Sequence, residues 1–282
     1  MIDTEWMIAA DSSCDLIGYT PAAPEAGFAT VPLKIRVGEK EFADEPGLNV
    51  DDMLAAMEAH SGPTSSACPS PDEWAQLFLA ADQTIAVTMT SSLSGTYNSA
   101  VVARDMVLER FPHKRIHIID TLSTGGQMAL LIRRIDGLIA QGLDYPAVVA
   151  GAQAYQQSLR LLFCLASFDN LVKNGRMNRI VGFVAGALRM RAVGRATERG
   201  ELGILHKTRG EGRALSFLIE ELARNKNLAG LPVIISHCQN QPAADKLRQA
   251  ILERWPSAQV EIMPTRGLTS YYAQQQGLII GY

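Results

Sequence analysis

One stretch constrains this chain more than any other: Thr88-Met89-Thr90-Ser91-Ser92-Leu93-Ser94-Gly95-Thr96-Tyr97. The apolar run Ile85 to Val87 before it reads as a buried strand. After it, Tyr97, Ala100, Val101, Val107, Leu108 and Phe111 recur at helical spacing. The stretch is therefore a strand-to-helix turn carrying five hydroxyl side chains between Thr88 and Ser94. Gly95 lets the backbone approach a ligand closely. The first turn of a helix also has unpaired N–H groups and the positive end of a dipole, a natural seat for an anion. The competing reading is structural, with Ser92 or Ser94 doing no more than capping the helix.

The rest of the chain alternates in the same way. Met7 to Ala10 is a short apolar strand that ends in Asp11-Ser12-Ser13-Cys14-Asp15-Leu16. Those residues suit either a ligand loop at the carboxyl edge of a parallel sheet or an ordinary turn. Thr30 to Val37 reads as one strand, and Val50 to His60 as a helix with Asp51 and Asp52 in its first turn. Gly62 to Pro71 reads as a hydroxyl-rich loop. Ser70 caps the helix that follows, with Pro71 at its first position. Ile116 to Asp120 is a further strand, followed by helices that run to about Gln141 and from Asp144 through Ala154. Strand and helix in this order predict a right-handed parallel sheet with helices on its faces.

Near residue 158 the character changes. Leu159 to Ala166 is a strand, Ser167 to Lys173 a short helix, and Ile180 to Leu188 a helix of small apolar residues. Met190 to Thr197 and Leu202 to Thr208 flank Glu198-Arg199-Gly200-Glu201 as a β-hairpin. A helix from Gly212 to Asn225, a β-α-β tail and a closing segment, Leu278 to Tyr282, complete the chain. The expected architecture is α/β in two domains: a parallel α/β domain over residues 1–157 and an α+β domain over 158–282. The cleft between them is the default ligand site.

Composition narrows the function. The 282 residues are 47% hydrophobic, enough for real cores. The net charge of −3 (26 basic against 29 acidic residues) carries no nucleic-acid footprint. Cys14, Cys68, Cys164 and Cys238 are widely spaced, with no CxxC pair and no zinc spacing, and read as free thiols in a reducing compartment. Met1 to Trp6 lacks the basic, then apolar pattern of a signal peptide, and no window approaches ~18 uninterrupted apolar residues. A cytoplasmic location is expected, with neither a metal nor a cofactor.

Five segments in order resemble the DegV family, bacterial fatty-acid-binding proteins that include the lipid-binding subunits of fatty acid kinase. Asp11-Ser12-Ser13-Cys14-Asp15-Leu16 looks like the family's "DS-x-x-DL", Val31-Pro32-Leu33 like "VPL", and Ser66-Ala67-Cys68-Pro69-Ser70-Pro71 like "TSQPSP". Ser91 to Tyr97 matches "SS-x-LSGTY", the most specific of them, and Asn174-Gly175-Arg176-Met177 resembles "GGRI". The resemblance implies a long acyl chain buried between two domains. Its carboxylate would be held by hydroxyls and an amide at positions that fall on Ser66, Ser94 and Gly95. Arg176 would lie near the exposed head group, where a separate kinase acts. The implied role is a carrier with no catalytic residue of its own, taking fatty acid from the inner membrane surface and presenting it to a fatty acid kinase.

The chain departs from the family pattern in two places. Ala67 and Cys68 replace two polar residues of "TSQ". The family's "GTHTGPG" becomes Pro264-Thr265-Arg266-Gly267-Leu268-Thr269-Ser270, which puts Arg266 where the head-group histidine is usual. Thr265 and Arg266 are therefore candidate ligand residues, since a guanidinium can hold a carboxylate through two parallel bonds. A preference for a different acidic ligand, or a surface arginine on a drifted loop, are the other readings of Arg266. The competing class is a hydrolase with Ser92 or Ser94 as nucleophile. Of the five histidines, His237 alone is placed to serve as its base, and no G-x-S-x-G elbow is present.

Overall fold

The computed structural model describes residues 4–177 and 190–282. The expected helix from Ile180 to Leu188 lies outside the described residues. Strand β1 (Trp6–Asp11) is buried along its whole length because it is central in a four-stranded parallel sheet of order β2-β1-β6-β7. Its neighbours are β2 (Ala26–Val31) and β6 (Gln83–Thr88), and β7 (Arg115–Asp120) pairs with the outer side of β6. A strand covered on both faces can be apolar throughout, and here the alternation decides which core each side chain enters. Met7 and Ala9 face Trp74 and Phe78 of α2 (Pro71–Leu79) and Ala100 and Ala103 of α3 (Thr96–Arg110). Trp6, Ile8 and Ala10 face the opposite core, together with α4 (Gly126–Ala140) and α5 (Tyr145–Ser158). Ser70 caps α2 in a reciprocal box with Glu73, as its sequence predicts.

Two parts of this half differ from the sequence reading. Thr30 to Val37 is not one strand. Pro32 cannot donate to a ladder, and the chain leaves the parallel sheet there to start β3 (Lys34–Val37). The hydroxyl-rich stretch after Gly62 is not a loop either: Thr64–Ala67 forms β5, paired antiparallel to β3 in a small sheet of order β4-β3-β5, with β4 at Lys40–Ala43. Helix α1 (Val50–Ala59) begins with the Asn49 side chain accepting the amides of Asp51 and Asp52.

The second large sheet has six strands in the order β10-β9-β8-β13-β11-β12, and only β11–β12 is parallel. The strands are β8 (Leu161–Leu165), β9 (Met190–Ala196), β10 (Leu202–Arg209), β11 (Pro232–His237), β12 (Gln259–Pro264) and β13 (Leu278–Gly281). The expected hairpin is β9–β10, turned at Gly200 with φ +74°. One face packs Leu162, Cys164, Val233 and Ile235 on α7 (Glu211–Asn225) and α8 (Gln241–Arg254). The other face, with Leu161, Phe163, Ile234 and Ile279, shares its core with the first sheet.

Helix α4 joins the two sheets. Gly126 to Ile132 are all buried, an all-round burial that marks a helix packed on more than one side. Its start is tight because Gly126 abuts Ile234, where an added Cβ would meet the Ile234 Cγ2 at 2.9 Å. Gly126 is thus a packing contact. The last two helices are α6 (Asp169–Lys173) and α9 (Gly267–Ala273). The sequence reading did not name α9, which begins inside the Pro264–Ser270 stretch and runs on to Ala273. No helix of the described residues is long and apolar enough to cross a membrane.

Candidate functional site

Where the carboxyl end of β6 meets the inner face of the second sheet, the structure leaves an apolar cavity of about 80 Å³. Leu161, Phe163 and Leu165 supply one wall from alternate positions of β8, and Ile279 adds to it from β13. Met89 and Leu93 come from the hydroxyl turn, and Leu268 and Ala273 from α9. The strand period of two explains why Leu162 and Cys164 are absent from the cavity: they face α7. Polar side chains enter the lining at four places, Thr124, Arg176, Thr269 and Tyr272.

At one rim of this cavity stand Arg176, a residue expected at the site, and Tyr272, to which the expected Ser66 is bonded. Ser66 in β5 shares a 2.7 Å hydrogen bond between its hydroxyl and that of Tyr272, and Thr64 does the same with Tyr271. Ser99 donates to the Pro69 carbonyl at 2.6 Å, which holds the start of α3 against the segment after β5. A Cβ on Gly95 would lie 3.3 Å from the Cys68 sulfur. Arg176 donates through Nε to the Leu93 carbonyl at 3.2 Å, and its aliphatic stem lines the cavity. Arg176 and Tyr272 therefore line the cavity, Ser66 is tied to it through Tyr272, and the Leu93 carbonyl that Arg176 holds precedes Ser94 and Gly95 in the chain; Tyr272 is a member that the sequence reading missed. Only its place beside Tyr271, in a segment assigned to no element, could have signalled it.

The hydroxyls of the central turn divide into two uses. Ser92 Oγ donates to the Arg199 carbonyl at 2.5 Å and Thr90 Oγ1 to the Gly200 carbonyl at 3.0 Å, so these two fasten the β9–β10 turn to the first half. Ser94 Oγ accepts the Thr96 amide at 3.3 Å, while the cap position of α3 itself is Gly95, with no side-chain cap bond. Ser94 is half-buried and Gly95 exposed.

Arg266 and Thr265 are elsewhere. Arg266 is buried, at 1% exposure, with Nη1 donating to the Leu16 carbonyl (3.2 Å) and to Thr30 Oγ1 (3.4 Å). Its Nη2 donates to the Asp44 carbonyl at 2.5 Å, and Nε lies 3.4 Å from Asp44 Oδ1. The guanidinium is committed to an interior ion pair and does not line the cavity, which corrects both the head-group reading and the surface reading. The physical reason is Asp44, itself buried, whose carboxylate also accepts the Gly267 and Leu268 amides at the start of α9 (2.8 and 2.9 Å). A buried carboxylate requires a counter-charge, and the arginine supplies it. Thr265 Oγ1 shares its hydrogen with Ser270 Oγ (2.7 Å) and faces the His237 carbonyl, also away from the cavity.

Two more acids lie beneath the rim. Asp11 accepts Ser13 N and Oγ on one oxygen and the Met89 amide (2.7 Å) on the other, so the first strand's end is tied to the hydroxyl turn. Burial pushes its pKa up to about 6 against those hydrogen bonds. Burial likewise pushes Asp15 up to about 7, opposed by the Arg266 amide, which donates to its Oδ1 at 2.8 Å. His237 Nδ1 accepts the Asn240 amide at 3.2 Å, and burial lowers its pKa. Among the described residues no histidine is hydrogen-bonded to Ser92 or Ser94, and no group of three acidic, histidine or cysteine side chains is placed to hold a metal ion.

Fold and cavity together define an α/β protein of two large sheets with an apolar pocket at their seam. The family model described as "Uncharacterised protein, DegV family" matches residues 5–276, and the chain belongs to the DegV family. It is 43% identical over 277 residues to a DegV domain-containing protein of Streptococcus pyogenes serotype M1, covering 98% of this chain and 99% of that one. The fatty acid kinase (Fak) B3 protein of Streptococcus pneumoniae, solved loaded with linoleic acid, is 41% identical with a TM-score of 0.95, covering 99% of each chain. A DegV family protein of Eubacterium eligens, solved loaded with heptadecanoic acid, is 33% identical with a TM-score of 0.93 over 98% of each chain.

Proposed function

We propose that this chain is a carrier that binds one long-chain fatty acid at the seam of its two halves, with the division between the halves falling at residues 157 and 158. The observation that carries the reading is the asymmetry of the cavity: aliphatic and aromatic walls, with Arg176 and the Ser66–Tyr272 hydroxyl pair at one rim. A fatty acid has the same asymmetry. Its tail gains roughly 0.8 kcal/mol per buried CH₂, while its carboxylate must be given donors. The Ser66–Tyr272 pair, Ser94 and the Gly95 amide supply the donors, and Arg176 faces the head group. At about 80 Å³ the cavity is small beside typical ligand pockets of roughly 300–1,000 Å³, so the acyl chain enters by parting its walls.

The relative solved with linoleic acid is a Fak B3 protein, and this supports a second step. The carrier takes fatty acid from the inner membrane surface, presents the carboxylate at the rim, and a separate fatty acid kinase phosphorylates it. The location is then the cytoplasm, and no catalytic residue is assigned to this chain. Carrier and hydrolase differ at Ser92: its hydroxyl is bonded to the Arg199 carbonyl, which favours the carrier.

Native mass spectrometry of the purified protein, before and after solvent extraction, tests the reading. A fatty acid retained at one per chain, and retaken by the extracted protein, is the expected result. A protein that arrives empty and takes up none contradicts it. In the same assay Ser94→Ala weakens binding by about 1–3 kcal/mol, the cost of leaving a buried partner unsatisfied.

A further inference from the structure

The apolar cavity abuts a second, larger hollow. At the amino end of β8 lies a polar cleft of about 1020 Å³, whose walls include Gln156, Arg160, Arg195, Glu198, Arg199 and Glu201. Strand register puts it there. Arg195 pairs with Leu162 and Gly281 with Leu161, so β9 and β13 both end beside the start of β8. Among the described residues, Leu161 alone lines both the apolar cavity and the cleft. It is 4% exposed, and its place in the sheet is fixed: Arg160 and Tyr282 exchange backbone hydrogen bonds of 2.8 and 3.0 Å immediately before it.

The rim belongs to the other end of the same strand. Beyond the carboxyl end of β8 the chain enters α6, where Asn170 donates to the Tyr271 carbonyl at 2.7 Å and the Leu171 carbonyl accepts the Arg176 amide at 2.8 Å. Arg176 and Tyr272 are thus tied to the segment that follows Leu165, whereas Leu161 is the first residue of the strand. At a strand's rise the four steps from Leu161 to Leu165 span about 13 Å.

We propose that Leu161 is the end stop of the acyl cavity: it sets the length of chain that the carrier accepts and seals the tail from the polar cleft behind it. Given the acyl-binding reading above, on which this rests, a chain with its carboxylate at the rim runs along Leu165 and Phe163 and brings its methyl end to Leu161. Up to that point each further methylene tightens binding by about fourfold. The next carbon either presses on Leu161, in a closely packed core, or enters a cleft walled by guanidinium, carboxylate and carboxamide groups, where an apolar end gains nothing.

The test is a titration of the delipidated full-length protein with saturated fatty acids of increasing length, read as the length that binds most tightly. In the parent, affinity climbs to an optimum and then stops climbing. Leu161→Ala moves the optimum to acids longer by about three carbons, the number of side-chain carbons removed. Leu161→Phe moves it to shorter acids. Leu162→Ala, on the face of β8 that packs on α7, leaves it unmoved. Lost stability alone cannot shift the optimum in opposite directions in the two Leu161 variants. If Leu161→Ala fails to fold, Leu161→Val and Leu161→Phe read the same opposed shifts. An optimum that stays in place in the folded Leu161 variants, or that shifts as far in Leu162→Ala, overturns the end stop while the carrier reading stands. If the parent binds no acid of any length, the carrier reading fails and the end stop fails with it.

Discussion

Arg266 shows how far a residue's chemistry depends on its partner. Its sequence position beside Thr265 fits a head-group ligand, and its charge fits a carboxylate. The carboxylate it meets is Asp44. Arg266→Ala leaves that acid buried and unpaired, together with the start of α9 that it holds, so the variant loses about 3–5 kcal/mol of stability in denaturant unfolding. An unfolding curve that does not move contradicts a stabilising role for the Asp44–Arg266 pair. Ser66 and Tyr272 make the opposite case, since their hydroxyls share one bond at the rim. In a double-mutant cycle with Ser66→Ala and Tyr272→Phe, fatty acid affinity is non-additive if the pair acts as a unit on the carboxylate, and additive if either hydroxyl acts alone.

The element that organises the molecule is the turn between β6 and α3. Asp11 grips its first residues through the Met89 amide, Thr90 and Ser92 hold the β9–β10 turn, and Ser94 and Gly95 open the helix. Gly200 is the receiving side of that latch. Its φ of +74° is costly for any other residue, and an added Cβ would lie 2.1 Å from Thr90 Oγ1. Gly200→Ala therefore lowers stability by about 1–3 kcal/mol, because the added methyl displaces the β9–β10 turn from Thr90. Equal melting temperatures for the variant and the parent would show that the latch carries no load. Ser92→Ala, which removes one bond without a clash, has the smaller effect, about 1 kcal/mol.

At the scale of the whole molecule, two buried acids, Asp15 and Asp44, face the Arg266 guanidinium, and a third, Asp11, lies near Asp44. Burial raises all three above the ordinary carboxylate value. Between the ordinary 3.8 and about 6 for Asp11 or about 7 for Asp15, the folded chain holds protons that the unfolded chain has released. The folded state binds more protons there, so stability rises as the pH falls through about 7 and then about 6, and levels off below the unfolded value. Glu261, held low by the Arg133 hydrogen bond, acts in the opposite sense at lower pH, but it is exposed and its effect is small. The contribution of Asp11 and Asp15 to the melting temperature accordingly increases on mild acidification from neutral pH, opposed by His117 and His237, whose pKa values burial lowers. Asp15→Asn, which suits the left-handed backbone at φ 61°, removes the part of the increase nearest pH 7. An Asp15→Asn variant that keeps the parent's pH dependence over the same range contradicts the assignment.

The sequence by itself determined the alternation of apolar strands and amphipathic helices, the change of character near residue 158, the capped start of α2, the β9–β10 hairpin and the hydroxyl turn at the head of α3. These are local matters of periodicity, capping and turn chemistry, and the chain carries them wherever it folds. Which hydroxyl is free, which is a latch, and which arginine is already paired depend on groups far apart along the chain: Ser66 with Tyr272, Ser92 with Arg199, Arg266 with Asp44. The same limit hid α9 and β5. A helix of seven residues and a strand of four are too short for a period to show, and each is stabilised by what it packs against, α9 by Asp44 and β5 by β3. Only the tertiary structure decided the site, because a buried polar atom takes its role from the partner that desolvation forces upon it.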